Sequence, residues 1–336
     1  MSAERLRVAL LGAGRIGQEH AKTLLGLSQV SLDMVCDARL EAARQIAAKI
    51  PGAIATSKPE DVFSADEIDA VIICTSTDSH ADLIEAGALT NKAIFCEKPV
   101  ALDLERTKKA LHVVDRAGVL FQIGFQRRFD SGYAEARRRI EHNLIGRIDQ
   151  FRSVGRDPAP PSAEYLEKSG GLFLDQAIHE FDIARFFVGE VESVQAWGAA
   201  RFSQDAGRLG DADTAITFLK FKNGALGVIE NSRRAIYGYD IVTEVFGERG
   251  KLVVHAERKS PLRHYREGGS EEDHFYFFMD RFKDAFHAEL ESFFLCVEED
   301  RPPSPGAADA LEALRIGLAA TRSFQEGRQV QLEEIR

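Results

Sequence analysis

Two short patterns and one lysine carry the chemistry readable in this sequence. Gly12-Ala13-Gly14-Arg15-Ile16-Gly17 is a GxGxxG run placed directly after the apolar segment Val8–Leu11, and Asp37 follows 20 residues past Gly17. In such a run Gly12 allows a tight turn, Gly14 lets the backbone approach a pyrophosphate, and Gly17 lets helix and strand pack closely. Arg15 and Ile16 lie in the same turn, where free amides at a helix N-terminus stabilise an anion. A carboxylate at Asp37 accepts from both adenosine ribose hydroxyls and repels a 2′-phosphate, so NAD is the expected cofactor. Arg39 keeps NADP open, since a guanidinium can neutralise that phosphate or stack on adenine.

Lys98 sits in Cys96-Glu97-Lys98-Pro99, at the carboxyl end of an expected strand. Asp175 and His179 are four residues apart in a stretch opened by Gly170-Gly171. An uninterrupted helix turns about 400° over four residues, which puts both on one face. A carboxylate beside an imidazole can set its tautomer and raise its basicity. Hydride loss from a secondary alcohol needs its hydroxyl proton removed, so Lys98 would steady the alkoxide while His179 takes the proton. That requires the ammonium and the imidazole to converge on one carbon. The plain alternative is a charged pair at a strand exit and an Asp–His pair stabilising a helix. No second histidine stands at 183 to make HExxH and no cysteine is near, so no metal is expected.

The elements that must position these groups fall into two halves. Arg7–Gly12, Leu32–Asp37, Ala70–Ser76, Ala93–Glu97 and Leu120–Phe125 are short apolar runs that predict strands. Helices are expected around Ile16–Leu27, Leu40–Ile50, Ser79–Thr90 and Asp103–Ala117, the last two capped by Ser79 and Asp103. This alternation predicts an α/β, doubly wound parallel sheet over residues 1–122. Residues 123–336 predict an α+β domain with an open antiparallel sheet. Its strands are Arg147–Asp157, Val191–Phe202, Asp213–Phe221, Gly227–Arg234, Asp240–Phe246 and Leu252–His255. Asn223-Gly224 predicts a hairpin, and helices are expected over Asp130–Asn143, from Gly170-Gly171 to about Phe187, and over Phe275–Glu299 and Ala307–Phe324. If the second face of that sheet is half apolar, pairing of subunits would bury it.

Composition narrows the classes. The chain has 336 residues, 43 basic and 53 acidic side chains and a net charge of −10. That balance disfavours nucleic acid and anionic membrane surfaces as partners. No apolar run approaches the ~18 residues of a membrane span. Four cysteines without a CxxC pair indicate neither a disulfide framework nor a zinc site, and a cytoplasmic location is expected.

GAGRIG, the distal Asp37, CEKPVAL and GGLFLDQAIHEFDIARFF together resemble the Gfo/Idh/MocA oxidoreductase family. Within it, QIGFQRRFD, RDPAPPSAEYLEKSGGLFLDQAIHEFD and RRAIYGYDIVTEVFGERG are similar to inositol 2-dehydrogenases. The resemblance implies a Rossmann domain followed by an open-faced sheet domain, assembled as homo-tetramers through that sheet. It implies Lys98, Asp175 and His179 as the catalytic set, with Thr75, Ser76 and His80 lining the nicotinamide side and Glu97 near a ribose. It also implies that Arg127, Asp157 and a tyrosine, Tyr237 or Tyr239, contact polyol hydroxyls together with the catalytic set. The expected activity is NAD-dependent oxidation of a ring hydroxyl of a cyclic polyol, myo-inositol to 2-keto-inositol first. Gln126, Gln176 and Ala177 depart from the residues common in inositol enzymes, which keeps a pyranose or anhydrosugar open. A nucleotide-binding regulator without chemistry is the reading from a different class.

Overall fold

The structure is a computed structural model and describes residues 5–336. The chain forms two compact units, one comprising the chain to Gln126 with Asp284–Glu312, the other Arg127–Lys283 with Ala313–Arg336.

The first unit runs β1 (Leu6–Leu11), α1 (Arg15–Gly26), β2 (Val30–Cys36), α2 (Leu40–Ala47), β3 (Ile54–Thr56), α3 (Pro59–Phe63), β4 (Ala70–Ile73), α4 (Thr77–Leu89), β5 (Ala93–Glu97), α5 (Leu104–Ala117) and β6 (Phe121–Gly124). The sheet order is β3-β2-β1-β4-β5-β6, and every pair is parallel. The order reverses between β1 and β4, the point at which such sheets open a crevice for ligands. All four residues of β4 are buried, as a strand covered on both faces requires. Asp103 caps α5, accepting from the Arg106 amide at 2.7 Å, and Gly118 ends it at φ +67°. The expected cap at Ser79 is corrected. Ser76 occupies the N-cap, and the Ser79 hydroxyl instead donates to Thr75 Oγ1 and to the Ser76 carbonyl. β3 and α3 were not foreseen, being too short to show a period.

The first unit reaches past an expected break at 122 because of its core. Leu290, Phe293 and Phe294 pack in one cluster with Val8, Leu10, Ile72 and Phe95. Full burial of each such side chain contributes about 1.5–3 kcal/mol. The segment Asp284–Glu312 therefore returns to the sheet it covers.

The second unit contains α6 (Ser131–Glu141), β7 (Ile148–Arg156), α7 (Ala163–Lys168), α8 (Leu172–Asp175), α9 (Ile178–Val188), β8 (Val191–Ala199), α10 (Gln204–Arg208), β9 (Thr214–Phe221), β10 (Leu226–Ser232), β11 (Asp240–Gly247) and β12 (Gly250–Val254). A separate hairpin, β13 (Arg258–Arg266) with β14 (Gly269–His274), follows. The expected helix over 275–299 is two helices, α11 (Phe278–Arg281) and α12 (Lys283–Glu298). Then come α13 (Ala307–Glu326) and β15 (Val330–Gln331). The seven-stranded sheet is ordered β12-β11-β7-β10-β9-β8-β15. It is antiparallel except for β7 with β10, two strands joined by a long crossover rather than a turn. The Asn223-Gly224 turn joins β9 to β10 with Gly224 at φ +90°. Along β9, Ala215, Thr217, Leu219 and Phe221 are buried, while Ile216, Phe218 and Lys220 face outward. Helices cover the inner face, where Ser323 of α13 accepts from the Ala196 amide at 2.9 Å. The outer face exposes Trp197, Ile216, Phe218, Leu226 and Phe246.

Candidate active site

Each glycine of the β1–α1 turn has a separate physical reason. Gly12 has φ +100°, and a Cβ there would lie 2.5 Å from the Cys74 carbonyl carbon, so the turn is pressed against the end of β4. A Cβ on Gly17 would collide with the carbonyl oxygen of Gly12. Gly14 is different, because nothing lies within 4 Å of the place its Cβ would take. It is the N-cap of α1, carries no capping side chain, and no acid occupies the first turn. The first-turn amides and the positive end of the helix thus face open space, which fits a dinucleotide pyrophosphate. Arg15 is exposed beside it, and Ile16 packs on the core.

Asp37 follows directly after β2. Its Oδ2 accepts from the Ala13 amide at 2.7 Å and its Oδ1 from the Arg39 amide at 2.9 Å. The carboxylate is therefore fixed to the glycine loop it is expected to serve. Arg39 is largely exposed, with Nε 3.9 Å from Asp37 Oδ1.

Thr75, Ser76 and His80 open α4, and Glu97 and Lys98 end β5. Thr75 is half-buried, Ser76 is exposed, and Lys98 is half-buried. His80 is only 1% exposed, with Nδ1 2.8 Å from the Pro99 carbonyl and Nε2 3.0 Å from the Thr75 carbonyl. Both edges of its ring are occupied, so it braces the loop wall. Glu97 Oε1 bonds Nε2 of the buried His20 on α1 at 2.7 Å. His20 in turn packs edge-on against Phe95 and Phe286. This carboxylate joins the helix of the glycine turn to the strand that carries Lys98.

Asp175 and His179 belong to the second unit, and the helix expected to align them is interrupted. α8 ends at Asp175 and α9 begins at Ile178, and the Ala177 amide bonds the Leu172 carbonyl five residues back. That bond is the signature of an inserted residue in a helical turn, so the simple four-residue face does not apply. Asp175 is instead fixed from two sides. Tyr165 of α7 donates to Oδ1 at 2.8 Å, and Arg233, 2% exposed, donates to Oδ2 at 3.1 Å. Burial pushes the Tyr165 phenol up, and the neighbouring Asp175 charge adds to this. His179 is half-buried at the start of α9.

Beneath this pair lies a buried ionic layer. Arg127 donates to Glu180 Oε1 and, at 3.3 Å, to the Tyr239 hydroxyl, while Asn231 donates to Glu180 Oε2 at 3.2 Å. Arg128 pairs with Asp182, Nε to Oδ2 at 2.9 Å. Gly155 of β7 is required by Glu180, whose carboxylate occupies the space a Cβ there would need. At 3% exposure Arg127 is buried, with its guanidinium held by Glu180. Tyr237 is exposed and donates to Asp240 at 2.7 Å in a surface network with Arg156. Tyr239 is buried on Arg127. Asp157 stands at the end of β7, its backbone tied to Ser232 and Ala235. Burial pushes its carboxyl up to about 7, against the pull of Arg233 and with the repulsion of Asp175 and Glu180.

Tyr165, Glu180 and Arg233 were missed by sequence reasoning. The only signal was the charge-rich QRRF and HEFD runs, whose pairing across 53 residues has no local mark. Among the described residues no cluster of three histidine, cysteine or acidic ligands could hold a metal. No helix of those residues is long and apolar enough to cross a membrane.

The fold and the glycine turn define a dinucleotide-dependent oxidoreductase. Residues 6–125 match the oxidoreductase-family NAD-binding Rossmann fold, and residues 137–332 match that family's C-terminal alpha/beta domain. The chain belongs to the Gfo/Idh/MocA oxidoreductase family, and its cofactor is NAD. It is 39% identical to a myo-inositol 2-dehydrogenase of Thermotoga maritima, over 98% of this chain and 99% of that one. It is also 39% identical to a scyllo-inositol 2-dehydrogenase (NAD(+)) of Bacillus subtilis, over 98% and 97%. Among solved structures, a scyllo-inositol dehydrogenase from Lactobacillus casei with bound NAD(H) and scyllo-inositol superposes with a TM-score of 0.93. That match has 27% identity and covers 98% of this chain and all of that one.

Proposed function

We propose that this protein oxidises a ring secondary alcohol of a cyclic polyol with NAD, taking myo-inositol to 2-keto-inositol. The observation that carries the reading is the full-length likeness to inositol dehydrogenases in a chain that carries Lys98, Asp175 and His179. Bound NAD would supply the acceptor for the hydride that leaves the carbinol carbon. The first unit supplies the glycine turn for the pyrophosphate, and Asp37 offers a carboxylate for the adenosine ribose. Lys98 donates to the reacting oxygen and steadies its growing negative charge. His179 takes the hydroxyl proton on a ring nitrogen. Asp175, tied down by Tyr165 and Arg233, stands four residues before His179 on the same broken helix. Asp157 is a candidate acceptor for a neighbouring ring hydroxyl.

The exposed apolar face of the seven-stranded sheet supports a homo-oligomer, with a tetramer as its proposed size. A cytoplasmic site of action is part of the same reading. The test is a panel of inositol isomers, pyranoses and anhydrosugars offered with NAD and with NADP, followed by absorbance of the reduced cofactor. Turnover of myo- or scyllo-inositol with NAD supports the reading. Turnover confined to pyranoses, or reduced cofactor formed only from NADP, overturns it.

A further inference from the structure

His80 has no role in the reaction steps above, yet it is the most completely committed histidine in the first unit. Its ring is buried, and its two nitrogens face two carbonyl oxygens, those of Pro99 and Thr75, at 2.8 and 3.0 Å. Those carbonyls lie next to functional groups. Pro99 follows Lys98, and Thr75 sits where β4 runs into α4, pressed against Gly12 of the glycine turn. A neutral imidazole donates from one nitrogen and an imidazolium from both. Burial pushes the ring's pKa down, and the two carbonyls and the charges of Glu97 and Asp78 oppose this. In either state the flat ring is the spacer that sets how far the two loops stand apart.

We infer that His80 is a positioning residue: held between the Thr75 and Pro99 carbonyls, it fixes the turn that carries Lys98 against the loop that opens α4. The inference rests on the proposed role of Lys98. A reacting group displaced by about 1 Å can lose on the order of 100-fold in rate, so a buried spacer outside the reaction can still govern turnover.

The test uses the full chain as parent, His80→Leu, His80→Gln, Lys98→Met and the His80→Leu/Lys98→Met double variant. Melting temperature, NADH affinity by fluorescence, and kcat and KM for myo-inositol are measured on each. For folded His80→Leu, kcat should fall at least about tenfold while polyol KM moves by less than about threefold. NADH should bind several-fold more weakly. His80→Gln, which keeps a donor for one carbonyl, should fall between Leu and parent. The double variant should be no slower than Lys98→Met alone, because a spacer acting through Lys98 has nothing left to position. A folded His80→Leu with parental kcat and NADH affinity overturns the inference, and so does a double variant that shows both losses multiplied. If His80→Leu fails to fold, parental kinetics in His80→Gln overturn it. Parental turnover in Lys98→Met removes the role of Lys98 and the inference with it. A slow Lys98→Met beside a parental His80→Leu removes the inference alone.

Discussion

The glycine turn of the first unit and the ionic layer of the second solve opposite problems. The turn works by leaving atoms out. Gly12 and Gly17 permit backbone contacts no side chain would allow, and Gly14 leaves open space for a ligand. The layer works by filling a dry interior with charge: Arg127 with Glu180, and Arg128 with Asp182, all buried. One is a local device whose parts lie within six residues, and the other joins strands and helices far apart in the chain. A cofactor shared by many enzymes needs only the first. The second unit holds Asp175 and His179 on a broken helix, and the buried charge beneath α9 limits how that helix can shift. Breaking a buried pair by removing one partner is costly even where the intact pair adds little.

The contrast can be broken most severely at Glu180. Glu180→Ala leaves the buried Arg127 without its carboxylate, and equilibrium unfolding in urea should show a loss of about 3–5 kcal/mol. A loss below about 1 kcal/mol would mean that water reaches Arg127 and that the layer is not the anchor described. Gly17→Ala comes next. Its Cβ must displace the Gly12 carbonyl, so about 1–3 kcal/mol of stability should go, together with most of the NADH affinity. Calorimetric titration with NADH checks this, and tight binding by the variant would contradict the packing argument. A purely pH-dependent effect is expected at Asp157. Its carboxyl holds a proton in the folded protein up to about pH 7, whereas the unfolded chain releases it near 3.8. Folded protein thus binds the extra proton between those values, and stability from this group declines as pH rises through that window. In Asp157→Asn that decline should vanish, so the variant gains on the parent from pH 5 to pH 7 in unfolding titrations. A constant difference across the range would mean that Asp157 is solvated.

Much of the first unit was legible because its signals are local. Alternating apolar runs located five of its six strands, the glycine spacing located the turn, and Asp103 was rightly read as a cap. β3 and α3 escaped, since three and five residues show no period. In the second unit β7 to β12 and the Asn223-Gly224 hairpin were legible for the same reason, while the exposed hairpin β13–β14 and the two-residue β15 were not. The break at Gln176–Ala177 was not, because both residues keep helical backbone angles and only the hydrogen-bond step from Ala177 to Leu172 betrays it. Arg233 and Glu180 were invisible for another reason. A buried charge is defined by partners brought by the fold, and a sequence shows the charge without its burial.

In the proposed reaction Lys98 steadies the reacting oxygen and His179 takes its proton. The most direct measurement is steady-state oxidation of myo-inositol by Lys98→Met and His179→Ala, each checked for NADH binding by fluorescence. Turnover should fall at least about 100-fold in both variants with cofactor affinity close to parental. Turnover near the parental rate in either variant, with NADH bound, would contradict it.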